Sequence, residues 1–335
     1  MTCATDVPVE VRDDTEFDRV APEWDSLLAQ SYDNRLFLTS IWHRVWRQHF
    51  ASSEAYLVSS RNADGELTGL LPLQIEVQDG KRILTLSGDW NVMDYMDGLA
   101  LKGQAREVLR SLWEGALREV RWDALSLRHV PSGSPLLDAL EDVASGTQFE
   151  AGQDDVCPVA LLCSSWDAYL QMLSKKQRHE IRRKLRRAQE GAEWNWRRVE
   201  TVADLDRDLP IFFQLHEASA REKQRFMTQA MRDYFRSLSE AMLELGYLRL
   251  NVFSREGQDI AATMSFLYRD RYLLYNSGYD PAHSAHSPGI AAVALSMQDA
   301  IEEKAGVFDF LSGDEPYKYQ FGATNTFTCK ATVSR

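Results

Sequence analysis

The sequence predicts a mixed α/β protein built from two tandem copies of one unit, each a mainly antiparallel twisted sheet flanked by helices. The same order of elements, a β-hairpin, a third strand, a helix and a further strand, occurs in both halves of the chain. In addition, 335 residues with 44% apolar side chains are enough for about two domains with cores of their own. We therefore expect a first domain at residues 1–150 and a second at residues 151–335.

In the first half, helices precede the sheet. Asp18–Gln30 and Thr39–Phe50 have apolar residues at helical spacing, and Val9–Val11 can begin a strand before them. The hairpin strands and the turn between them are Ala55–Ser60, Leu67–Gln74 and Asn62–Gly65. The unit is completed by a strand, an amphipathic helix and a last strand, at Arg82–Ser87, Ala105–Val120 and Ala124–Arg128.

The second half repeats this order near its end. Its hairpin and third strand are Tyr247–Ser254, Ile260–Tyr268 and Tyr272–Ser277. The helix Ile290–Lys304 has apolar residues at helical spacing, Gly306 ends it, and Val307–Leu311 is a short apolar strand. Because the element lengths also agree with those of the first half, we interpret the chain as a tandem duplication. The alternative is a chance recurrence of a common arrangement.

The loop His283–Gly289 leads into the last helix and can bind an anion there. The first amides of a helix have no intrahelical partner and carry the positive end of the peptide dipoles, so a phosphate group fits. Gly289 leaves room for the backbone to approach a pyrophosphate, although a loop glycine can also be only a turn residue. The cofactor-binding residues that we predict are Ser277, His286, Ser287, Gly289 and Ile290.

A strongly basic helix lies between the two repeats, at residues 174–190. Ser174 can cap it, Gly191 can end it, and it has a narrow apolar stripe. Its cations are Lys175, Lys176, Arg178, Arg182, Arg183, Lys184, Arg186 and Arg187. They can bind the phosphates of a cofactor, of a nucleotide-linked substrate or of an RNA, and we predict Arg182 as a substrate ligand. Alternatively, they only balance acidic surface elsewhere.

The helix pair Leu209–Arg221 and Thr228–Leu245 contains two further substrate-binding candidates. His216 lies beside Glu217, behind an apolar helix face, and Arg221 lies at a helix end. A single helical histidine can equally be a packed core residue, and a helix end favours cations in any case.

Composition excludes several classes of protein. The net charge of −12 does not favour binding of nucleic acid or anionic lipid by the surface as a whole. The sequence has no apolar stretch that could span a bilayer and no apolar leader, so we expect a soluble cytoplasmic protein. The cysteines, Cys3, Cys157, Cys163 and Cys329, have no metal-ligand spacing and fit reduced thiols.

Seven blocks together resemble a known family. They are FLTSIWHRVW, LLPLQ, DYMDG, RHEIRRKLRRAQ, LHEASAREK, SGYDP and FDFLSGDEPYKYQFG, and they extend from about Trp24 to Lys330. In this order they resemble the tandem-domain branch of the GNAT acyltransferases that includes acetyltransferases of the CelD type. More distantly, the chain is similar to the Fem-type aminoacyl transferases. The resemblance implies a double GNAT fold, with a degenerate first domain on the acceptor side and the cofactor site in the second domain.

The resemblance also implies roles for the last block. Tyr317 occupies the place where many GNAT enzymes keep a tyrosine that protonates the departing thiolate, and packing is its alternative role. Asp309, or else Asp314 or Glu315, can serve as the base, although residues 314–316 can also be only a turn. Lys318 can neutralise a substrate carboxylate or phosphate, and Tyr279 of the SGYDP block joins the predicted substrate contacts.

One segment departs from the family pattern. Superfamily members commonly have a Q/R-x-x-G-x-G/A loop at the cofactor pyrophosphate, whereas the segment here is HSAHSPGI. It has a single glycine, and Pro288 lacks an amide donor. The histidines of the loop and the basic helix can supply other contacts.

Three functions remain open on the sequence alone. The first is transfer of an acyl group from acetyl-CoA or another acyl-CoA to an amine or hydroxyl of a small molecule, saccharide or envelope precursor. The second is transfer from aminoacyl-tRNA, which the basic helix favours and the acidic net charge disfavours. The third is a binding module without catalysis. No metal is expected in any of them.

Overall fold

The computed structural model describes residues 9–13, 16–50, 54–89, 91–144 and 146–334, so Cys3 lies outside the described residues. The chain forms two compact units. The first extends to Asp155 and includes the chain again from Phe327 onward, and the second is Val156–Thr326.

The first unit contains six strands and four helices before the chain leaves it, within the described residues. The strands are β1 (Val9–Asp13), β2 (Ala55–Arg61), β3 (Leu67–Gln78), β4 (Lys81–Leu86), β5 (Leu99–Ala100) and β6 (Ala124–Pro131). The helices are α1 (Phe17–Gln30), α2 (Ser40–Phe50), α3 (Ala105–Glu119) and α4 (Pro135–Val143). The strand β7 (Gln148–Leu161) then leads into the second unit.

The second unit has the larger number of helices. They are α5 (Trp166–Met172), α6 (Lys175–Gln189), α7 (Val202–Ser219), α8 (Arg221–Phe226), α9 (Gln229–Glu244), α10 (Pro288–Glu302) and α11 (Pro316–Gln320). Its strands are β8 (Trp194–Arg198), β9 (Leu248–Arg255), β10 (Gln258–Tyr268), β11 (Arg271–Tyr279) and β12 (Val307–Asp309), and β13 (Thr324–Ser334) returns to the first unit.

The sheets of the two units have the same plan. In the first, β1, β2, β3 and β4 are antiparallel neighbours, β6 pairs parallel with β4, and β13 pairs with β6. In the second, β8, β9, β10 and β11 are antiparallel neighbours, β12 pairs parallel with β11, and β7 pairs with β12. The one parallel pair thus follows the hairpin and the helix in each unit, and the predicted fold class of two mixed, mainly antiparallel units is confirmed.

Local sequence explains the two helices that matter most for the site. Ser174 and Gln177 form a capping box at the start of α6, as the predicted cap requires. The helix α10 was expected to bury one face, but every residue from Ala291 to Met297 is buried. Three of these residues, and Ala300 further along, are alanines, whose small side chains let α10 pack closely against β10 and against α6.

Some predicted boundaries were wrong because the backbone leaves its helical or extended conformation earlier than the sequence pattern indicates. The predicted helix Leu209–Arg221 ends at Ser219, because Ala220 is extended, with φ −163° and ψ 150°, and Arg221 begins a separate short helix. The predicted strand Val307–Leu311 ends at Asp309. Leu311 cannot continue it because its backbone is left-handed, with φ 56°.

Candidate active site

The two central strands of the second unit separate. The parallel pairing of β11 with β12 covers only Arg271–Leu273, opposite Val307–Asp309, while β11 continues to Tyr279. A β-bulge accompanies the separation, because Met264 of β10 pairs with Asn276 and the next residue, Ser265, pairs with Leu274. The last residues of β11 therefore border a cleft instead of a neighbouring strand on that side.

The block Ser277-Gly278-Tyr279 at the end of β11 positions three neighbours. The carbonyl of Ser277 accepts a hydrogen bond from Nζ of Lys223 at 2.5 Å. A Cβ on Gly278 would lie 2.3 Å from the backbone nitrogen of His216, so only glycine lets α7 approach β11 this closely. The ring of Tyr279 packs on the start of α10, where a Cβ on Gly289 would lie 3.2 Å from Cδ1 of the tyrosine.

The helix α10 begins at this cleft with an open first turn. Its N-cap residue, Ser287, is left-handed with φ 55°, and among the described residues no side chain caps the turn. Pro288 has no amide hydrogen, so the first amides available for a ligand are those of Gly289 and Ile290. Both residues line a cavity of about 420 Å³, a volume within the usual range for ligand pockets.

The cavity brings together six of the residues predicted from the sequence. These are Ser277, Tyr279, Ser287, Gly289, Ile290 and Tyr317. Glu315, one of the alternative carboxylates, also lines it, as do Pro288, Ser284 and Val293. The remaining wall residue, Lys223, was not predicted, and its only sequence signal was a cluster of cations after the helix that contains His216.

Tyr317 can hold a proton for transfer. Burial, with the nearby charge of Glu315 as a second cause, raises the pKa of its phenol well above the usual value. The hydroxyl therefore remains protonated at neutral pH. The edge of its ring contacts the Phe310 ring, with 6.2 Å between ring centroids, and this contact fixes the side chain in the wall.

Lys318 lies in the loop after β12 instead of in the cavity. Its side chain is 2% exposed. Its ammonium donates to the carbonyls of Leu311, Ser312 and Gly313 at 3.2, 2.8 and 2.8 Å, and it forms an ion pair with Glu315 at 2.9 Å. The three carbonyls match its three N–H donors and Glu315 balances its charge, so we infer that Lys318 holds the loop and not the predicted substrate. The sequence gives the residue types of this loop, but it does not show that the loop carbonyls turn towards Nζ of Lys318.

The other two carboxylates predicted as a base lie outside the cavity lining. Asp309 is fully buried, and its Oδ2 accepts from Nη1 of Arg271 at 3.1 Å. Its Oδ1 accepts from the amide of Leu311 at 2.9 Å, so the carboxylate stabilises the turn that ends β12. Asp314 is exposed. Glu315 is exposed as well, but it alone of the three lines the cavity, so the geometry favours it as a base.

Four further predicted residues lie away from the cavity. His216 is 1% exposed, its Nε2 is 3.1 Å from Oδ1 of Asn276, and burial lowers its pKa to about 4. His286 is in a short 3₁₀ helix, Pro281–His286, beside His283. Arg221 lines a separate hollow of about 660 Å³, in which Arg232 and Glu217 already form an ion pair. Arg182 is on the exposed side of α6.

The basic helix α6 lies next to the segment that enters the cavity. Its buried residues Ile181 and Ala188 face the core, and Nη1 of Arg187 donates to the carbonyl of Ala285 at 3.5 Å. Arg183 forms an ion pair with Glu180 of the same helix, at 2.6 Å. Arg182 and Arg186 have acidic neighbours only at 3.9 and 3.5 Å, so these two exposed charges are weakly compensated.

Most of the second unit matches a known protein family. Residues 175–319 match the acetyltransferase (GNAT) domain family, a range that contains α6, the cavity and Tyr317. None of the curated proteins matches the chain in sequence. None of the helices in the described part of the chain combines the length and the apolarity that a membrane crossing needs.

Solved structures match over nearly the whole chain. FemX has 13% identity and a TM-score of 0.67, with 93% of this chain and 95% of FemX covered. L-PGS from Bacillus licheniformis has 12% identity and a TM-score of 0.55, with coverage of 92% and 90%. A tandem GNAT protein from the clavulanic acid biosynthesis pathway has 13% identity and a TM-score of 0.50, with coverage of 97% and 98%. At these identities the likeness is one of fold.

Proposed function

From the premise that this chain is an acyltransferase of the GNAT superfamily, we propose that it uses acetyl-CoA or another acyl-CoA as donor. The acceptor is an amine or hydroxyl of a small molecule, saccharide or envelope precursor. The observation that carries this proposal is the cavity at the start of α10, where separated strands, an uncapped helix start and a half-buried tyrosine meet.

The residues around the cavity fit the donor. The amides of Gly289 and Ile290 and the hydroxyls of Ser284 and Ser287 are donors that suit a pyrophosphate. The side chains of Ile290 and Val293 give the cavity apolar surface, which suits the uncharged arm of the cofactor. The single glycine of this loop is enough for the fit, because the absent cap leaves the first amides of α10 available.

Two side chains can move the protons that acyl transfer requires. The attacking amine or hydroxyl must lose a proton, and the thiolate that leaves must gain one. Glu315 accepts the first proton, directly or through water, and Lys318 holds one of its carboxylate oxygens at 2.9 Å. Tyr317 supplies the second proton from its hydroxyl. Acyl-CoA supplies the thioester that makes the transfer favourable.

A second candidate function has its own support. The fold likeness to FemX and the weakly compensated cations of α6 favour an aminoacyl-tRNA donor, as in the Fem-type aminoacyl transferases. The net charge of −12 and the absence of aromatic residues within the α6 sequence speak against it. A binding module without catalysis would use the same cavity but transfer nothing.

Calorimetric titration with acetyl-CoA tests the proposal. The wild type should bind, and Gly289→Val should raise the dissociation constant about 10-fold or more, a loss of about 1.4 kcal/mol, because the branched side chain closes the approach to the amides. Gly152→Val is a matched control, since a Cβ at Gly152 meets nothing within 4 Å.

The alternatives give different results in the same design. Absence of acetyl-CoA binding by the wild type would contradict the proposal. Binding of tRNA that weakens steeply between low and moderate salt would support the aminoacyl-tRNA function instead. Acetyl-CoA binding without CoA release in the presence of any acceptor amine would favour the binding module.

A further inference from the structure

The position of Lys223 at the cavity results from how closely α7 packs on β11. Gly278 lets α7 pack directly on β11, and the extended residue Ala220 then turns the chain into the short helix α8. This turn brings Lys223 to the end of β11, where its Nζ donates to the carbonyl of Ser277. The side chain is half-buried and is the one cation among the residues that line the cavity.

The ammonium group of Lys223 has unused hydrogen-bonding capacity. A lysine has three N–H donors, and one of them is directed to Ser277. Among the described residues, no carboxylate oxygen lies within the 4.0 Å of Nζ that defines an ion pair. A half-buried charge whose one partner is a neutral carbonyl gains from an anionic ligand, since charge-assisted hydrogen bonds are about twice as strong as neutral ones.

Taken together, the charges around the cavity attract an anion. Glu315 is the one carboxylate in the lining, and it is already paired with Lys318 at 2.9 Å. His216, behind β11, is neutral because burial lowers its pKa to about 4. Burial also lowers the pKa of Lys223, and the charge of Glu315 partly offsets that effect. The start of α10 adds the positive end of its dipole.

We propose that Lys223 binds a carboxylate group of the substrate in this cavity. The inference rests on the proposed function and narrows its substrate class to carboxylated molecules. The carboxylate belongs either to the acyl group, as in a dicarboxylic acyl-CoA, or to the acceptor, as in an amino acid. Both sources present the same chemistry to the ammonium group.

The first experiment examines the acyl group. Acetyl-CoA and succinyl-CoA are titrated into the wild type, Lys223→Met and Lys223→Arg, with Lys102→Met as a control on the exposed surface of the first unit. If the acyl group carries the carboxylate, the wild type and Lys223→Arg bind succinyl-CoA about 10-fold tighter than acetyl-CoA. Lys223→Met loses this preference, so its affinities for the two CoA esters become equal.

The second experiment examines the acceptor. CoA release from acetyl-CoA is measured with L-lysine and with cadaverine, which differ only in the carboxylate. If the acceptor carries the carboxylate, the wild type has a KM for L-lysine about 10-fold lower than for cadaverine, and Lys223→Met removes the difference.

The outcomes separate the two proposals. If acetyl-CoA binds but neither experiment shows a preference for the carboxylated molecule, the assignment of Lys223 is wrong. The proposed function then stands. A preference that survives in Lys223→Met overturns the assignment as well. Failure of both CoA esters to bind overturns the proposed function, and the assignment falls with it.

Discussion

At the scale of single residues, the cavity contains one candidate group for each task of the proposed acyl transfer. Tyr317 holds a proton, Glu315 can take one, and the amides of Gly289 and Ile290 are available to an anion. Each of the two side chains is held by a neighbour: the ring of Tyr317 by Phe310, and the carboxylate of Glu315 by Lys318. Because different groups serve proton transfer and anion binding, we predict the effects on catalysis and on binding separately.

Tyr317→Phe should lower turnover by about 10- to 1,000-fold and leave acetyl-CoA affinity unchanged, because only the proton donor is lost. Steady-state CoA release and calorimetric titration measure the two quantities. Tyr319→Phe, in the same short helix, is the control and should retain turnover. Unchanged turnover in Tyr317→Phe would remove the acid role and leave the tyrosine as a packing residue.

His216 should make the second unit sensitive to acid. Burial lowers its pKa to about 4 from 6.5, so the unfolded chain takes up a proton on acidification before the folded chain does. The stabilisation is therefore complete above about pH 6.5 and is lost as the pH falls towards 4, in total about 3 kcal/mol.

Denaturant unfolding at pH 7.5 and pH 5 measures this effect. Between these two values, His216→Gln should lose about 2 kcal/mol less stability than the wild type. His179→Gln, on the exposed surface of α6, is the control and should behave as the wild type. Equal acid losses in the wild type and His216→Gln would show that another group is responsible.

At the scale of elements, α6 connects the cavity to a wider basic surface. It packs against α10 through its apolar stripe, and Arg187 contacts the segment that leads into α10. The two cations with weak acidic neighbours, Arg182 and Arg186, lie one turn apart on its exposed side. Both side chains are open to phosphate groups from solution.

Arg182→Glu with Arg186→Glu should weaken acetyl-CoA binding about 10-fold and lower its salt dependence, because two phosphate contacts are lost. The measurement is titration at two salt concentrations. Lys102→Glu with Arg121→Glu changes the net charge equally in the first unit and should leave binding unchanged. A drop in melting temperature with normal binding would mean that α6 is only structural.

Elements with strong local patterns were predictable, and those set by distant contacts were not. The periodicity and the cap at Ser174 predict α6, and Asn62–Gly65 predicts the hairpin turn, because these signals lie within a few residues. Lys223 was missed because its partner, Ser277, is 54 positions away in the sequence. Likewise, Lys318 has a sequence signature, but its three carbonyl partners depend on how the loop folds.

At the scale of the whole molecule, the two units have the same strand plan. They differ in the region after one strand, which is β4 in the first unit and β11 in the second. In the second unit the region after β11 holds the cavity. In the first, a Cβ on Gly88, just after β4, would lie 2.6 Å from Cε of Met96 and 2.7 Å from Sδ of Met93. The methionines close one side of Gly88, and on another side the residue lines a hollow of about 590 Å³. Its lining includes the carboxylates of Glu54, Glu76 and Asp89 and, among the described residues, no helix start, so it suits a pyrophosphate less well than the cavity at α10 does.

The path of the chain through the second unit has a practical consequence. Residues near its two boundaries are neighbours, since Oγ1 of Thr326 donates to the carbonyl of Cys157 at 2.7 Å. A segment whose two ends lie side by side can be inserted into a chain, or removed from it, with little change to the rest of the fold. Expression of residues 156–326 as a separate protein therefore tests whether the second unit folds and binds acetyl-CoA without the first.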